Sequence, residues 1–495
     1  MSASQAMILL DITIVNVALP SIQRELGVST ANLEWVVGAY TLVLAALILV
    51  GGALGDRFGR RRIFLIGLAI FTAASVGCAL SPDDPELIAF RAVQGVGGAA
   101  MAALTLSILV DAYPSERRTV AIGLWAAIGG LGFGLGPVVG GVLIQIADWS
   151  AVFWVNVPIG VLCAALTLVG VRESRDTDAR RLDLVGAALA AIGLFLLTFA
   201  LIESNRRAWT SAPVTGALGG AVVVLGAFVL WEQRAPAPMV PLQLLRGRRF
   251  ASANAVYGLL YLSLAGMLFF VTLYYQNLRG WSALKTGTSW LVMNMAFLLV
   301  SLRVGRLVKR LGALPMVGGG CLMAAAGMFV LASLQHDTSF WVTAIGYLLV
   351  GLGFGSAVPL VSSEAMSDVP GPLAGVGSGI LNSTRQVGAS VGLAVMGAIG
   401  VGVAAHTWDH KVQSLPASVQ AEAHSARQDV AGARPIHLGT VAQSDADDAF
   451  LTGYHWAMAA AGVAIVGASA AAFAGLRSRG AVAERRAASS APADQ

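Results

Sequence analysis

The chain carries the stretch GALGDRFGRRRI at residues 52–63, and a weakened copy of it, GRLVKRLGALPM, follows at 305–316. Four positions agree between the two copies: Gly52 with Gly305, Leu54 with Leu307, Arg57 with Arg310, and Gly59 with Gly312. Each copy is short, basic and glycine-containing, and each separates two long apolar runs. The repetition of such a loop indicates that the chain consists of two related halves.

The composition places these halves in a membrane. Only 12% of the residues are charged, against about 25% in soluble globular proteins, and the mean hydropathy is +0.74. A soluble chain of 495 residues needs far more polar surface to cover its core. The composition therefore excludes soluble enzymes, nucleic-acid-binding proteins and secreted disulfide scaffolds. Basic loops on one side of the membrane account for the net charge of +5.

Transmembrane helices need about 20 apolar residues each to cross the hydrocarbon core. The sequence predicts fourteen such spans, at approximately 3–21, 35–54, 63–80, 87–110, 119–145, 151–171, 183–203, 213–231, 251–277, 285–302, 315–334, 340–361, 373–404 and 450–476. Eight spans separate the two copies of the repeated loop, so two six-helix bundles and a two-helix insertion account for the total. The predicted fold is an all-α polytopic membrane protein of this arrangement.

Three segments follow from this division of the chain. We expect an N-terminal six-helix bundle at 1–171, an inserted transmembrane hairpin with its linkers at 172–250, and a C-terminal six-helix bundle at 251–476. The hydrophilic loop 405–449 is expected to hold a short amphipathic element or to be disordered rather than to fold as a domain. The tail 477–495, rich in Arg, Ala and Ser, is expected to be disordered.

The distribution of basic residues predicts the orientation of the chain. Most of the 32 Lys and Arg residues lie in the loops after the even-numbered spans and in the C-terminal tail. Because cytoplasmic loops carry the excess of basic residues, these loops and both termini are predicted to be cytoplasmic. The predicted location is the inner, cytoplasmic membrane of the cell.

The basic loop after span two is predicted to act as a conformational latch. Asp56 can accept hydrogen bonds from cationic groups or from a helix N-terminus of the other half, and Arg60 can pair with Asp111 at the end of span four. Breaking and remaking this cluster would accompany a switch between two access states, whereas a simple positive-inside anchor is the alternative. The predicted latch residues are Gly52, Asp56, Arg57, Gly59, Arg60 and Asp111.

Two residues of opposite charge lie inside predicted spans of the first half. Asp11 belongs to LDITIVNVALP in span one, and Arg91 belongs to LIAFRAVQGVGGAAM in span four. A charge inside the bilayer is costly unless it is paired or hydrated. Both residues lie within about 14 Å of the same membrane surface along their helices. We expect an Asp11–Arg91 pair that couples transport to protons, and a permanent structural ion pair is the alternative.

Span five contains the glycine-rich stretch GGLGFGLGPVVGG at 129–141. Glycines at every fourth position leave one helix face without side chains, and the proline removes a backbone hydrogen bond and bends the helix. We expect this face to pack against a helix of the other half when the outer side is closed, and generic helix packing is the alternative. The residues of this glycine–proline motif are Gly132, Gly136, Pro137, Gly140 and Gly141.

Six segments together resemble the motifs of a known family: LDITIVNVALP at 10–20, GALGDRFGRRR at 52–62, RAVQG at 91–95, GLGPVVGG at 134–141, DWSAVFWVNVPIG at 148–160 and GSGILNSTRQVGASVGLAV at 377–395. The family is the major facilitator superfamily, and within it the fourteen-span drug:proton antiporters, which include bacterial multidrug and antibiotic exporters. The resemblance covers nearly the entire chain. It implies the major facilitator fold and efflux driven by inward proton movement, by alternating access around a central cavity.

Polar and aromatic residues inside the spans are candidates for the lining of that cavity. They are Asn16, Tyr40, Trp125, Asn156, Tyr261, Asn382, Arg385 and Gln386. Because an arginine near mid-span needs a partner or water, Arg385 is expected either to face an anionic substrate group or to make structural hydrogen bonds. The expected partners are a small drug-like molecule, protons and the lipid bilayer. We expect a monomer that binds no nucleic acid, no cofactor and no metal.

Two other functions compete with drug export. Uptake of a specific metabolite by symport uses the same fold, but the glycine–proline motif of span five argues against it. A membrane-embedded enzyme requires a nucleophile–base pair, a metal cluster or a nucleotide-binding loop, and none is recognisable in the sequence. The predicted function is therefore proton-driven efflux of amphipathic drug-like or antibiotic molecules.

Overall fold

The computed structural model is almost entirely helical and describes residues 1–113, 115–175, 183–236, 238–367, 369–370, 373–436 and 440–476. These residues form no strand, and their helices are α1 (Ser2–Leu26), α2 (Thr30–Phe58), α3 (Arg60–Leu80), α4 (Asp84–Ala112), α5 (Ser115–Ile146), α6 (Ala151–Trp154), α7 (Asn156–Gly170), α8 (Leu184–Glu203), α9 (Ala212–Glu232), α10 (Leu242–Arg246), α11 (Arg248–Leu273), α12 (Ala283–Ser289), α13 (Leu291–Ser301), α14 (Val304–Leu311), α15 (Ala313–Leu331), α16 (Phe340–Ser367), α17 (Ala374–Val412), α18 (Ala417–Ser425), α19 (Arg427–Ala431) and α20 (Thr440–Gly475).

Fourteen helical segments are long and apolar enough to cross a bilayer. Eleven of them are single helices, and three are composite: α6 with α7, α12 with α13, and α11 with the π-helical turn Tyr274–Leu278 that extends it. The prediction of an all-α membrane protein with fourteen spans is confirmed.

The repeated basic loop forms the same backbone turn in both halves of the chain. α2 meets α3 at Gly59, which has φ +110° and ψ 123°, and α14 meets α15 at Gly312, which has φ +84° and ψ 157°. Residues with a Cβ atom rarely adopt such positive φ values. Glycine is therefore required at both junctions, and the sequence repeat corresponds to a repeated backbone conformation.

The helices pack as two groups joined along two seams. In the first group α1 packs on α5, and α2 and α3 pack on α4; in the second α15 packs on α16 and α20, and α11 packs on α17. Contacts of α2 with α17 and of α5 with α12 connect the groups. The inserted helices α8 and α9 pair with each other, and α8 also contacts both α2 and α17. The insertion thus lies against the seam between the groups.

The two ends of this bundle differ in charge. The end that carries Gly59 and Gly312 also carries basic residues at 57–62 and 303–310, and we name it the basic face. The opposite end, where α5 ends at Ile146 and α12 begins, is named the far face.

A small helical cap covers part of the far face. α17 continues to Val412, α20 begins at Thr440, and α18 and α19 lie between them. An apolar cluster holds the cap together, built around the fully buried Trp408, whose Nε1 donates to the carbonyl oxygen of Ala423 at 2.8 Å. The segment 405–449 was expected to hold a short amphipathic element or to be disordered. Its described residues include two short helices, α18 and α19, and they are ordered because widely spaced apolar residues pack together once the helices bring them close. The tail 477–495 lies outside the described residues.

Candidate functional site

A buried network of polar side chains surrounds Asp11 in the middle of α1. Arg91 Nη1 on α4 donates to Asp11 Oδ2 at 2.7 Å, and both side chains are at most 1% exposed. Asp11 Oδ1 accepts two more hydrogen bonds at 3.0 Å, from Gln94 Nε2 and from Asn156 Nδ2. The carboxylate therefore receives three hydrogen bonds, of which the bond from the guanidinium is charge-assisted.

The guanidinium of Arg91 is fixed by groups from three helices. Its Nε donates to the carbonyl oxygen of Val36 at 3.0 Å, and its Nη1 also donates to Gln94 Oε1 at 2.6 Å. The Tyr40 ring lies 4.3 Å from the guanidinium carbon, which is a favourable cation–π distance. The pair has little freedom to move unless one partner loses its charge.

Sequence reasoning placed some residues of this network correctly and missed others. Asp11 and Arg91 meet as expected, but Asn156, which was assigned to the cavity lining, binds the acid itself. Gln94 and Ser75 were not predicted, although Gln94 follows Arg91 by one helical turn within RAVQG. Ser75 Oγ accepts from Asn156 at 3.0 Å and donates to the carbonyl oxygen of Phe153 at 2.9 Å, which fixes the amide.

The predicted latch residues form a charge cluster at the basic face. Arg60 Nε lies 2.8 Å from Asp56 Oδ1 one turn away, and its Nη1 pairs with Asp111 at the end of α4. Of the two kinds of partner expected for Asp56, cationic groups or a helix N-terminus of the other half, its described partner is the cation Arg60 of its own group of helices. In this conformation the cluster ties α3 to α2 and α4.

The segment that leaves α7 completes this cluster. Both carboxylate oxygens of Glu173 accept from the first turn of α3, at 2.9 Å from the backbone nitrogen of Arg61 and 3.1 Å from that of Arg62. Ser174 accepts from the Arg60 backbone nitrogen at 2.8 Å and donates from Oγ to Asp111 at 3.0 Å. Glu173 therefore caps the positive end of α3, a role that its distant sequence position concealed.

The remaining latch residues contribute in different ways. Gly59 is required by its positive φ, and a Cβ atom there would also lie 2.8 Å from the Glu173 carboxyl carbon. A Cβ atom on Gly52 would meet only the Ala103 side chain at 3.6 Å, an ordinary contact, so packing does not demand glycine there. Arg57 is exposed, with its guanidinium 5.6 Å from the Phe58 ring centre.

The glycine motif of α5 presents two faces to two different neighbours. A Cβ atom on Gly132, Gly136 or Gly140 would overlap α1, at 2.4 Å from the Ala6 carbonyl oxygen, 2.0 Å from Thr13 Oγ1 and 2.7 Å from the Ile14 side chain respectively. These three glycines therefore face a helix of their own group. The expectation that their stripe packs against the other half was wrong, because α1 occupies that side of α5.

The contact with the other group is made by the neighbouring residues of the motif. A Cβ atom on Gly141 would lie 2.4 Å from the Leu284 Cα, and one on Gly287 of α12 would lie 2.0 Å from the Pro137 carbonyl oxygen. Backbone thus touches backbone where α5 crosses α12. This contact closes the far face on one side.

Hydrogen bonds close the far face around the end of α1. Gln276 Nε2 donates to the carbonyl oxygen of Val17 at 2.9 Å, and Asn277 Nδ2 donates to Gln23 Oε1 at 2.9 Å. The donors belong to the π-helical turn after α11, and the acceptors belong to α1. The described conformation is therefore one in which the far face is shut.

The other predicted cavity residues divide between packing and unsatisfied groups. Asn16 Nδ2 donates to its own helix at Ile12, while the Tyr40 hydroxyl, Trp125 Nε1, Arg385 Nε and Gln386 Nε2 are buried without a hydrogen-bond partner among the described residues. Tyr261 is half-buried, with its ring centre 5.6 Å from the guanidinium carbon of Arg385. Asn382 is half-buried one turn before Arg385 on α17. Tyr40 belongs to α2, and Arg385 and Gln386 belong to α17, the two helices that meet at the seam between the groups.

Comparison with known sequences finds consistent relatives. The family model described as Major Facilitator Superfamily matches residues 1–393. The multidrug resistance protein Stp of Mycobacterium tuberculosis is 37% identical over 417 residues, which cover 84% of this chain and 77% of Stp. The tetracenomycin C resistance and export protein of Streptomyces glaucescens is 32% identical over 479 residues, covering 94% of this chain and 89% of that protein. The methylenomycin A resistance protein of Streptomyces coelicolor is 36% identical over 408 residues, covering 81% and 84%.

Solved structures share the architecture at low sequence identity. A bacterial homologue of the human lysosomal transporter Spinster is 17% identical, with a TM-score of 0.64 over 96% of this chain and 95% of that one. The POT family transporter PepTSo is 14% identical, with a TM-score of 0.62 over 96% of this chain and 97% of that one. At such identities the likeness is one of fold.

Proposed function

The chain belongs to the major facilitator superfamily, and from that premise we propose that it exports amphipathic drug-like or antibiotic molecules in exchange for protons. The protein is a transporter of the cell membrane and not an enzyme. Its relatives Stp and the tetracenomycin C and methylenomycin A proteins are named for resistance or export, which supports export as the direction of transport.

The observation that carries the proton coupling is the buried pair of Asp11 and Arg91. A fully buried carboxylate that pairs with one cation is a proton switch, since protonation of Asp11 would leave Arg91 charged without its partner inside the bilayer. The unpaired Arg91 would then be stable only with water or another acceptor, which favours a rearrangement of α4 and its neighbours. Binding and release of one proton therefore favours different arrangements of α1 and α4.

The orientation follows from the charge of the two ends. We propose that the basic face is cytoplasmic, because loops on that side carry the excess of Lys and Arg residues, and that the far face is the outer one. Both termini would then be cytoplasmic, in the inner membrane. The described conformation would be closed to the outside, ready to accept a substrate from the cytoplasm or from the inner leaflet.

Everted membrane vesicles with an imposed inward-acidic pH gradient test this proposal. Addition of a transported drug should collapse the gradient in wild-type vesicles, and Asp11→Asn should abolish this drug-dependent proton movement because an amide cannot titrate. The matched control is Glu25→Gln, which removes an exposed acid from the same helix and should leave transport unchanged.

Two outcomes would contradict the proposal. Undiminished drug-dependent proton movement in the Asp11→Asn protein would remove Asp11 from the coupling mechanism. Drug accumulation that follows protons in the same direction across the membrane would replace export by symport uptake of a metabolite-like solute.

A further inference from the structure

A second buried carboxyl group lies at the far face, outside the network around Asp11. Glu34, in the second turn of α2, is 0% exposed. A Cβ atom on Gly397 of α17 would lie 2.4 Å from all three atoms of its carboxyl group. The carboxyl group therefore lies directly against the backbone of the other helix group, in the seam between α2 and α17.

The inserted hairpin supplies the third side of this junction. Asn205, which follows α8 and is 3% exposed, donates from Nδ2 to Glu34 Oε1 at 3.2 Å. The Asn205 carbonyl oxygen accepts from Gln428 Nε2 of the cap at 3.0 Å, and the Gln428 carbonyl oxygen accepts from Thr30 of α2 at 3.1 Å. Three parts of the chain thus meet around one acid: the first group, the hairpin and the cap of the second group.

Two buried acceptor atoms at this junction have no hydrogen-bond donor among the described residues. Glu34 Oε2 and Asn205 Oδ1 are both buried and have no hydrogen-bond partner among the described residues. An ionised carboxylate only accepts, whereas a protonated one adds an O–H donor. The closed junction therefore matches a neutral Glu34 better than a charged one.

Among the described residues, no Lys or Arg side chain hydrogen-bonds to the Glu34 carboxyl group, and the charge of Arg206 reaches it only through space. Arg206, the basic residue next to Asn205, is exposed and donates at 2.6 Å to Ser29 Oγ and Asn32 Oδ1, so its guanidinium hydrogen-bonds elsewhere. The other charged groups of the surrounding elements are paired among themselves: Glu203 with Arg207, Arg427 with Asp409, and Asp429 with Arg434. Asp84 at the start of α4 accepts from Asn32, and on α17 the nearest ionisable side chains are Arg385 and His406.

From this geometry we propose that Glu34 is a proton-dependent closing switch of the far-face gate, and that the inserted hairpin is a working part of that gate. When the gate is open, water reaches the carboxyl group and it ionises. Closure buries it against Gly397, which is costly for an unpaired charge, so the group must take up a proton first. If the far face is the outer one, as the proposed function has it, acid outside the cell favours a closed far face, because Glu34 is then protonated.

Spin-label distances across the far face measure this switch without any substrate. Cysteines introduced at the exposed Ala147, just after α5, and Lys285 of α12 would report gate opening in lipid nanodiscs, because the native cysteines are buried and do not label. The measurement is made in an Asp11→Asn background, so that Glu34 titrates without the first acid. Its outcome is independent of whether the substrate is a drug, which separates it from the test of the proposed function.

We expect the ratio of open to closed populations to rise about tenfold between acidic and alkaline pH, a change equivalent to about 1.4 kcal/mol. The additional Glu34→Gln substitution, which keeps the size of the side chain and carries no charge, should remove this rise and hold the gate closed at both pH values. Identical pH profiles with and without Glu34→Gln would overturn the proposal.

A second substitution keeps the acid and removes its donor. Asn205→Ala in the same background should raise the ratio of open to closed populations by a similar factor at acidic and at alkaline pH, because the neutral carboxyl group of the closed junction loses its hydrogen-bond donor at either pH. An unchanged ratio at both pH values would overturn the assignment of the hairpin as a working part of the gate.

Discussion

Gly287→Ala should open the far face, because this glycine lies where backbone meets backbone between the two helix groups. A Cβ atom at position 287 would lie 2.0 Å from the Pro137 carbonyl oxygen and 2.6 Å from its carbonyl carbon. Unstrained carbon–oxygen contacts are about 3.3 Å or longer, so α5 and α12 must separate by roughly 1 Å to admit the methyl group. A backbone carbonyl cannot rotate away as a flexible side chain would.

The cost of this overlap falls on one conformation only. Overpacking of one or two carbon atoms typically costs about 1–3 kcal/mol, and a state in which α5 and α12 are already apart does not bear it. A difference of that size changes a two-state ratio by about 5- to 150-fold. The substitution should therefore convert a mostly closed far face into a substantially open one without unfolding either group.

The same spin-label pair at Ala147 and Lys285 measures the effect, as a shift of the distance distribution toward longer separations. The matched control is Gly130→Ala, on α5 itself, where a Cβ atom would meet nothing within 4 Å. Drug-independent proton leak through vesicles should rise with the open fraction. If Gly287→Ala gives the same distances and leak as Gly130→Ala, the α5–α12 contact does not close the gate and this reasoning is refuted.

Three further predictions test the other sites. Asp56→Asn and Arg60→Ala should each slow drug turnover. The double substitution should slow it by less than the sum of the two single effects on the activation free energy, because both residues act in one charge cluster. Strict additivity in vesicle transport assays would favour a simple positive-inside anchor. Glu173→Ala should lower the free energy of unfolding by about 0.5–2 kcal/mol, the usual value of a lost helix cap, and an unchanged melting curve would remove its capping role. Asn156→Ala should impair proton-coupled transport, since the Asn156 amide binds Asp11. The control Asn16→Ala loses only a hydrogen bond within its own helix and should leave transport unchanged. Equal transport rates in the two variants would contradict a role of Asn156 in the network around Asp11.

The overall fold could largely be predicted from the sequence because each pattern that indicates it is local. Span length, the basic loops and the recurrence of Gly59 as Gly312 each depend on a few consecutive residues, and each has a direct physical counterpart in the structure. The pairing of Asp11 with Arg91 was also predictable, since a charged side chain inside a bilayer is costly unless it has a partner of opposite charge or water.

The details of the site were less readable because they depend on which helix faces which. The glycine stripe of Gly132, Gly136 and Gly140 predicts that another helix packs closely against α5, but it does not identify that helix as α1. Glu34 precedes the predicted span 35–54 by one residue, and only the approach of Gly397 and Asn205 shows it to be buried. Glu173 likewise gains its role as a cap from a residue more than one hundred positions away in the chain.

The inserted hairpin is fastened at both ends of the molecule. On the side where it leaves the first group, Glu173 holds the start of α3, and on the opposite side Asn205 holds Glu34. A shortened, twelve-helix version made by splicing α7 directly to α11 would leave the start of α3 uncapped and a buried acid without its donor. Such a splice would have to carry compensating substitutions at both sites, for example an uncharged residue in place of Glu34. The insertion therefore supplies contacts at both ends of the first helix group, and these contacts would be lost if it were removed.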